Sequence, residues 1–214
     1  MEQILILGHG GHAISLVDIV EREKLYNVAG YIVNDTEAAE EGWDYPIIGR
    51  DEDLENLYRQ GITNAAIGIG YLGKGDLRER LYYTLKKIGF KIPVICDPSA
   101  IVSEHVMIQE GCFIGKGAII NSGAIIGKGC IINSGAIVEH NCYVNDFSHI
   151  SVGSVLCGGV QVGRSSFIGA NSTIVQGITI QQNSIVGAGA VVTENIKEKS
   201  IAVGVPAKII KGNG

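Results

Sequence analysis

The five histidines of this 214-residue chain are its side chains best suited to proton transfer near neutral pH. His9 and His12 stand in a glycine-rich turn, whereas His105, His140 and His149 lie beside or within a repetitive second half. An imidazole there can act as a general base or as a zinc ligand. A solvated or stacked side chain is the plain alternative for His140 and His149.

A six-residue repeat fills residues 107–196, and the second place of every unit is Ile, Val or Leu. Of the fifteen glycines in this segment, fourteen stand at the third or fifth place, where a turning chain has little room for a Cβ. A fixed period of this kind predicts a hexapeptide parallel β-helix whose coils stack their aliphatic column. His140 and His149 are nine residues apart, which is half a coil if three hexads make one turn.

The first hundred residues follow a different pattern, in which apolar strands alternate with amphipathic helices. Strands are predicted at 4–7, 28–33, 64–69 and 92–95, and helices near 13–24, 51–59 and 77–88. The alternation predicts a small, Rossmann-like parallel α/β domain with right-handed crossovers. We therefore expect an α/β domain at 1–100, an all-β parallel β-helix at 101–196 and a C-terminal tail at 197–214.

The turn that contains Gly8, Gly10 and Gly11 follows the first strand and precedes the first helix. In parallel sheets such a turn can bring backbone N–H groups and a helix N-terminus to a phosphate. Two alternatives stay open: a turn that only packs strand against helix, and a dinucleotide site with Ala13 at the sixth motif place and Asp35 after the second strand.

Composition excludes several classes of function. A net charge of −5 argues against a nucleic-acid partner, and no apolar run reaches the roughly 20 residues of a membrane span. The chain opens with a strand pattern rather than a signal peptide. Its five cysteines lack metal-site spacing, so we interpret them as core residues of a cytoplasmic protein. The few charges in the repeat favour burial of its faces in an oligomer.

Four segments carry a family resemblance: ILGHGGHA, YIVND, AIVEHNCYVNDFSHISVGSVLCGGVQVG and VGVPAKII. Through them the chain resembles the left-handed β-helix acyltransferases that acetylate sugars. It is most similar to the nucleotide-sugar N-acetyltransferases of the bacillosamine and perosamine type and to the sialic acid O-acetyltransferases.

The resemblance implies a homotrimer with active sites between neighbouring β-helices, with acetyl-CoA as co-substrate and no metal. The substrate would be a nucleotide-linked 4-amino-4,6-dideoxy sugar, UDP-linked by preference, acetylated on its 4-amino group. His140 matches the family's general base, and the amide of Gly158 matches one that lies close to the thioester. Transfer would be direct, without an acyl-enzyme on Cys157.

The resemblance also implies binding residues on both substrates. The coenzyme side would comprise His149, Gly158, Ala170, Gly187, Ala188 and Lys208. The nucleotide-sugar side would comprise Gly10, Gly11, His12, Asn34 and Asp35.

The chain departs from the family pattern at two places. Asn141 stands where relatives usually carry Glu or Asp beside the catalytic histidine, so either the base is weaker here or Glu139 or Asp146 supports it. Within residues 67–81, Tyr71 and Lys74 stand in a longer glycine-rich loop than relatives have, which leaves the identity of the sugar open.

Three other functions remain in view. The nearest is O-acetylation of sialic acid or another sugar hydroxyl. A γ-type carbonic anhydrase would need three zinc-binding histidines, and the spacing of His105, His140 and His149 is unlike that family's. A non-catalytic scaffold would leave the glycine turn unexplained.

Overall fold

The computed structural model describes residues 1–34 and 45–212 and divides into two compact units. The first unit contains Met1–Gly70 and Asp76–Pro98, and the second contains Ser99–Gly214 together with the short segment Tyr71–Gly75. That segment belongs by chain order to the first half, yet it packs with the repeat.

The first unit is a parallel sheet of four strands in the order β3-β2-β1-β4, as the alternation predicted. Three residues of the central strand β1, Ile4, Leu5 and Ile6, have no exposed surface, which is typical of a parallel sheet covered on both faces. The elements are β1 (Glu2–Leu7), α1 (Gly11–Glu23), β2 (Tyr26–Val33), β3 (Ile47–Arg50), a 3-10 helix (Asp51–Asp53), α2 (Leu54–Arg59), β4 (Asn64–Ile67), α3 (Leu77–Ile88) and β5 (Ile95–Cys96).

Two features of this sheet differ from the predicted strands. Strand β3 was not predicted, because its four residues include Gly49 and Arg50 and show no apolar run. The strand predicted at 92–95 is wrong over most of its length, since only Ile95–Cys96 is a strand. Pro93 explains the difference, because proline has no N–H to donate to a sheet.

A cluster of acids lies at the end of α1. Arg22 Nη1 donates to Asp97 Oδ2 at 2.7 Å, and the Asp97 side chain has no exposed surface. Glu23 Oε1 accepts the Cys96 N–H at 2.9 Å. Burial raises the pKa of Glu23, the Cys96 N–H lowers it in part, and the Asp97 charge adds to the rise. Burial, with Glu23 and Asp97, also raises the pKa of the Cys96 thiol to about 11.

Because its pKa is raised, Glu23 binds a proton more tightly in the folded chain than in the unfolded one. Its contribution is therefore most favourable below the ordinary value of 4.5 and is lost as pH rises through the folded pKa. The Glu23→Gln side chain carries no charge, so we expect the stability of this variant relative to wild type to be higher at about pH 7.5 than at about pH 4. Thermal unfolding of both proteins at the two pH values measures this change, with the exposed Glu52→Gln as control. A stability difference between Glu23→Gln and wild type that is the same at both pH values would contradict the prediction.

The second unit is a parallel β-helix made of two-residue strands. Strands 18 residues apart pair in parallel, as Ile125 does with Tyr143, so three hexads form one coil. The strands are β6 (Ile101–Val102), β7 (Met107–Ile108), β8 (Phe113–Ile114), β9 (Ile119–Ile120), β10 (Ile125–Ile126), β11 (Ile131–Ile132), β12 (Ile137–Val138), β13 (Tyr143–Val144), β14 (His149–Ile150), β15 (Val155–Leu156), β16 (Gln161–Val162), β17 (Phe167–Ile168), β18 (Thr173–Ile174), β19 (Thr179–Ile180), β20 (Ile185–Val186) and β21 (Val191–Val192).

These strands stack into three sheets, named here by their first strand. The β6 sheet contains β6, β9, β12, β15, β18 and β21, and the β7 sheet contains β7, β10, β13, β16 and β19. The β8 sheet contains β8, β11, β14, β17 and β20 and ends in the antiparallel pair β22 (Ser200–Val203) and β23 (Lys208–Gly212).

The predicted aliphatic column is the core of this unit. Its members after Ile108 are at most 1% exposed, while Ile108 is half-buried because it lies in the first coil. Glycine is favoured at the third and the fifth place of a hexad for different physical reasons. At the fifth place the backbone is left-handed, as at Gly117 with φ +63°. At the third place a Cβ would strike the next coil, as at Gly115, 2.6 Å from Ser134 N.

Candidate functional site

The glycine turn of the first unit lies between β1 and α1. The Gly8 N–H donates to Ile32 O at 2.7 Å, and Gly10 O accepts the Ala13 N–H at 2.8 Å. A Cβ at Gly10 or Gly11 would meet nothing within 4 Å. The backbone is thus open to close approach at the N-terminus of a 13-residue helix, which is the arrangement that suits a phosphate. His12 lies in the first turn of the same helix.

Asn34 follows β2 at this edge and lines a cleft with Gly8, Asp51 and Ile69. The other predicted residue, Asp35, lies outside the described residues. Asp51, which also lines this cleft, was not among the predicted site residues, because it follows β3, a strand that was not predicted. Burial raises the pKa of its carboxyl, and nearby Arg80 lowers it in part.

In the second unit, His140 lies at the corner between β12 and β13, and Gly158 occupies the same place in the next coil. A Cβ on Gly158 would lie 2.5 Å from His140 Nε2 and 2.6 Å from Cε1. The imidazole therefore packs directly against the Gly158 backbone. Gly158 is also the glycine of the repeat that stands at neither the third nor the fifth place, and the ring explains why a glycine is needed there.

Both residues beside His140 contact it. Glu139 Oε2 accepts the His140 backbone N–H at 3.2 Å, and the Asn141 side-chain amide lies 3.3 Å from His140 Nδ1. The amide atom that faces Nδ1 is Asn141 Nδ2, which can only donate, so Nδ1 accepts in this arrangement. The lone pair on Nε2 is left free only when the amide is turned over and its oxygen accepts an Nδ1–H proton. Asp146 lies at another corner, where it accepts the Lys128 N–H at 2.9 Å and Arg164 Nη1 at 3.3 Å.

The residues predicted for the coenzyme lie in two places. Gly158 is at the corner of His140, whereas Ala170, Gly187 and Ala188 are at the corner that follows β17 and β20. Strands of the β6 sheet separate these two corners within one chain. Lys208 begins β23, and its Nζ lies 3.9 Å from Glu194 Oε1, with both side chains exposed.

His149 lies in β14 and is 6% exposed. Its Nδ1 is 2.6 Å from Tyr71 O, and a carbonyl oxygen can only accept, so Nδ1 carries the proton. Its Nε2 lies 3.1 Å from Asn133 Nδ2, while Asn133 Oδ1 accepts the Ser134 N–H at 2.8 Å. These contacts describe a neutral ring that donates through Nδ1 and accepts through Nε2.

Through His149 the segment Tyr71–Gly75 is fastened to the β-helix. The Tyr71 hydroxyl donates to Ser165 O at 2.7 Å. Gly73 has φ +81°, and a Cβ there would lie 2.5 Å from Ile185 Cγ1. The glycines of this loop were visible in the sequence, but its contact with His149 was not, because 78 residues separate Tyr71 from His149.

Two further observations concern metals and membranes. Across residues 1–34 and 45–212, no three His, Cys, Asp or Glu side chains group in a way that could hold a metal ion. Within the same ranges, no helix combines the length and the apolar character that crossing a membrane requires.

A glycine-turn α/β unit, followed in the sequence by coils of three hexads and 18 residues each, is typical of hexapeptide-repeat transferases. The family described as "Bacterial transferase hexapeptide (six repeats)" matches residues 105–140, and "Hexapeptide repeat of succinyl-transferase" matches 159–194. The family "PglD N-terminal domain" matches residues 3–85.

Solved structures match nearly the whole chain. GDP-perosamine N-acetyltransferase from Caulobacter crescentus, solved as a variant with CoA and GDP-perosamine, is 34% identical, with 99% of this chain and 98% of that chain covered and a TM-score of 0.92. The acetyltransferase domain of PglB from Neisseria gonorrhoeae is 27% identical, with 98% and 100% covered and a TM-score of 0.89. The chain belongs to the left-handed β-helix nucleotide-sugar acetyltransferases with a PglD-type N-terminal domain.

Proposed function

We propose that this protein transfers the acetyl group of acetyl-CoA to the 4-amino group of a nucleotide-linked 4-amino-4,6-dideoxy sugar, with UDP as the preferred nucleotide. The observation that carries the proposal is the packing of His140 against Gly158. It brings an imidazole, a side chain that can act as a general base, next to a backbone amide at one corner of the β-helix. The similar Caulobacter enzyme was crystallised with CoA and GDP-perosamine.

In the proposed reaction, His140 Nε2 takes a proton from the sugar amine as its nitrogen attacks the thioester carbonyl. An imidazole suits this role because its pKa ordinarily lies near working pH. The Gly158 N–H donates to the oxyanion of the tetrahedral intermediate. Collapse of that intermediate breaks the C–S bond and releases CoA as a thiol. Asn141 orients the ring through Nδ1.

The two substrates are assigned to different parts of the chain. Gly10, Gly11, His12, Asn34 and Asp35 hold the nucleotide-sugar, for which the open backbone at the N-terminus of α1 is the supporting observation. Gly158, Ala170, Gly187, Ala188 and Lys208 hold acetyl-CoA, and the tail from residue 197 closes that site. His149 touches the coenzyme through its ring edge, because both ring nitrogens face protein atoms.

We further propose a homotrimer whose active sites lie between neighbouring β-helices. The two corners assigned to acetyl-CoA are separated within one chain, so one groove holds both only if a second copy supplies one of them. The β6 sheet between them also presents apolar side chains outward, which favours coverage by another subunit. The first-place residues of this sheet are half-buried or exposed, and all but Thr173 are apolar: Ile101, Ile119, Ile137, Val155, Thr173 and Val191.

A cytoplasmic location completes the proposal. All five cysteines are free thiols, which suits a reducing compartment. Acetyl-CoA and nucleotide-sugars are the substrates such a compartment would have to supply.

The experiment that tests the proposed function follows thiol release from acetyl-CoA against UDP-, dTDP- and GDP-linked 4-amino sugars and against sialic acids. We expect turnover on an amino sugar, fastest with UDP, and its loss in His140→Ala. Turnover on hydroxyl acceptors alone would replace the proposal with O-acetylation. No turnover on any acceptor would contradict acetyl transfer and favour a scaffold.

The contact between Asn141 and His140 predicts a change in pH dependence. Asn141 has φ +57°, a left-handed conformation that aspartate also tolerates. In Asn141→Asp the new carboxylate would stabilise the imidazolium. A neutral base would then require higher pH, so the acidic limb of kcat/KM should move upward by about one pH unit. The matched control is Asn183→Asp, which has φ +55° at another corner. If the acidic limb of the kcat/KM profile lay at the same pH in Asn141→Asp and in wild type, this role of Asn141 would be contradicted.

A further inference from the structure

One arginine of the first unit is buried at the edge of the sheet where the glycine turn lies. Arg78 is 4% exposed, and no other Lys or Arg is buried within residues 1–34 and 45–212. Its Nη1 donates to Ile67 O and to Ile69 O, each at 2.8 Å. The guanidinium therefore binds the backbone on both sides of Gly68, at the carboxyl end of β4.

The backbone that Arg78 binds packs directly on the glycine turn. A Cβ on Gly68 would lie 2.7 Å from Ala13 Cβ, and a Cβ on Gly8 would lie 2.6 Å from Ile69 Cγ1. Gly8 and Ile69 also line the cleft assigned above to the nucleotide. Through its two hydrogen bonds Arg78 thus fixes one wall of that cleft.

Two features of Arg78 are unfavourable for the folded chain alone. Removing a cation from water is costly, and a neutral donor such as a glutamine amide could bind the same carbonyl oxygens. Arg78 is also the second residue of α3, where the helix dipole disfavours a positive charge. Side chains that break local rules at a cost in stability are typical of functional sites. A negatively charged ligand in the cleft would offset both costs.

We propose that Arg78 is a positioning residue for the nucleotide-sugar: it holds residues 68–70 against the glycine turn, and its charge attracts the diphosphate. The inference rests on the proposed function and deepens it. The N-terminus of α1 supplies N–H donors but only a partial positive charge. Asp51 lines the same cleft and repels an anion when it is ionised. The full charge of Arg78 offsets this repulsion, and solvent screens it little because it is buried.

Two pairs of probes separate the charge of Arg78 from its support of the backbone. UDP and GDP carry the diphosphate, whereas uridine and guanosine present the same base and ribose without it. We expect the ratio of nucleoside diphosphate affinity to nucleoside affinity to fall by at least about tenfold in Arg78→Met. Arg78→Lys keeps the positive charge, so its ratio should stay within about threefold of wild type. Titrations followed by NMR at low salt measure each affinity.

Kinetics give a second readout that a purely structural role would not separate. In Arg78→Met the KM for the nucleotide-sugar should rise by at least about tenfold, while the KM for acetyl-CoA should not change. Arg59→Met is the matched control, because Arg59 is exposed and ends α2 at the opposite edge of the sheet. Its affinity ratio and both KM values should equal those of wild type.

Several outcomes would overturn the proposal. They are an unchanged affinity ratio in Arg78→Met, a ratio in Arg78→Lys as low as in Arg78→Met, and a KM that rises equally for both substrates. Should Arg78→Met fail to fold, Arg78→Gln, which keeps an amide donor for the carbonyl oxygens, takes its place with the same expected ratio. Failure of the proposed function would appear separately, as a wild-type protein that binds no nucleoside diphosphate or transfers no acetyl group.

Discussion

Replacing His140 with alanine is expected to lower kcat by roughly 100- to 10,000-fold, with small changes in KM for either substrate. The imidazole packs against Gly158 and contacts the Asn141 amide, so its proposed task is proton transfer rather than binding. Steady-state thiol release with the amino sugar identified in the acceptor panel measures both parameters.

His105→Ala is the matched control for this variant. It removes an exposed histidine at the start of the β-helix, on the same edge as His140 but in the first coil, two coils before His140. Its kcat should stay near that of wild type. A His140→Ala enzyme with near-normal kcat, or one impaired only through KM, would contradict the assignment of His140 as the base.

Gly158→Ala is expected to lower kcat by about 100-fold while the protein still folds. The added Cβ would lie 2.5 Å from His140 Nε2, so the ring must move away from the position in which it faces the reacting amine. The displacement affects the base and the approach to the Gly158 amide together. Kinetics and thermal unfolding on the same preparation separate lost activity from lost structure.

Gly117→Ala is the control for Gly158→Ala, because it should lower stability without lowering kcat. Gly117 has φ +63°, and a Cβ there would meet nothing within 4 Å. The substitution should therefore cost about 1–2 kcal/mol of stability through the left-handed backbone and leave kcat unchanged. If Gly158→Ala instead resembled Gly117→Ala, the packing of His140 on Gly158 would have no part in turnover.

The repeat could be predicted from the sequence because each place in a hexad has one physical environment. The second place is buried in every coil from Ile114 onward, and the fifth place adopts the left-handed backbone that favours glycine and asparagine. The 18-residue register followed from the same rhythm. Parallel alternation in the first half likewise predicted the sheet around β1.

Features that depend on contacts between distant residues could not be predicted in this way. Tyr71 joins the β-helix through His149 and Ser165, although it follows the last strand of the first unit's sheet by only a few residues. Strand β3 carries no apolar pattern, because Gly49 and Arg50 make up half of its four residues. In each case the contact is made by residues that are distant in the sequence, as Tyr71 is from His149 and β3 is from its neighbour β2.

The candidate site was predictable in its residues more than in its geometry. Family resemblance selected His140 and Gly158, but only the structure shows that the ring requires the absence of a Cβ at position 158. Asp146 was a possible support for the base, and its hydrogen bonds to Lys128 N and Arg164 place it at another corner. Glu139, which accepts the His140 N–H, is the carboxylate that remains adjacent.

The most direct test of direct acetyl transfer to nitrogen is a single turnover with acetyl-labelled coenzyme and the amino-sugar acceptor, followed by mass spectrometry of both enzyme and sugar. We expect an enzyme that stays unmodified at every time point and a product whose acetyl group resists mild base, as an amide does. An acetyl group on Cys157 before product appears, or a base-labile ester on the sugar, would contradict direct transfer to nitrogen.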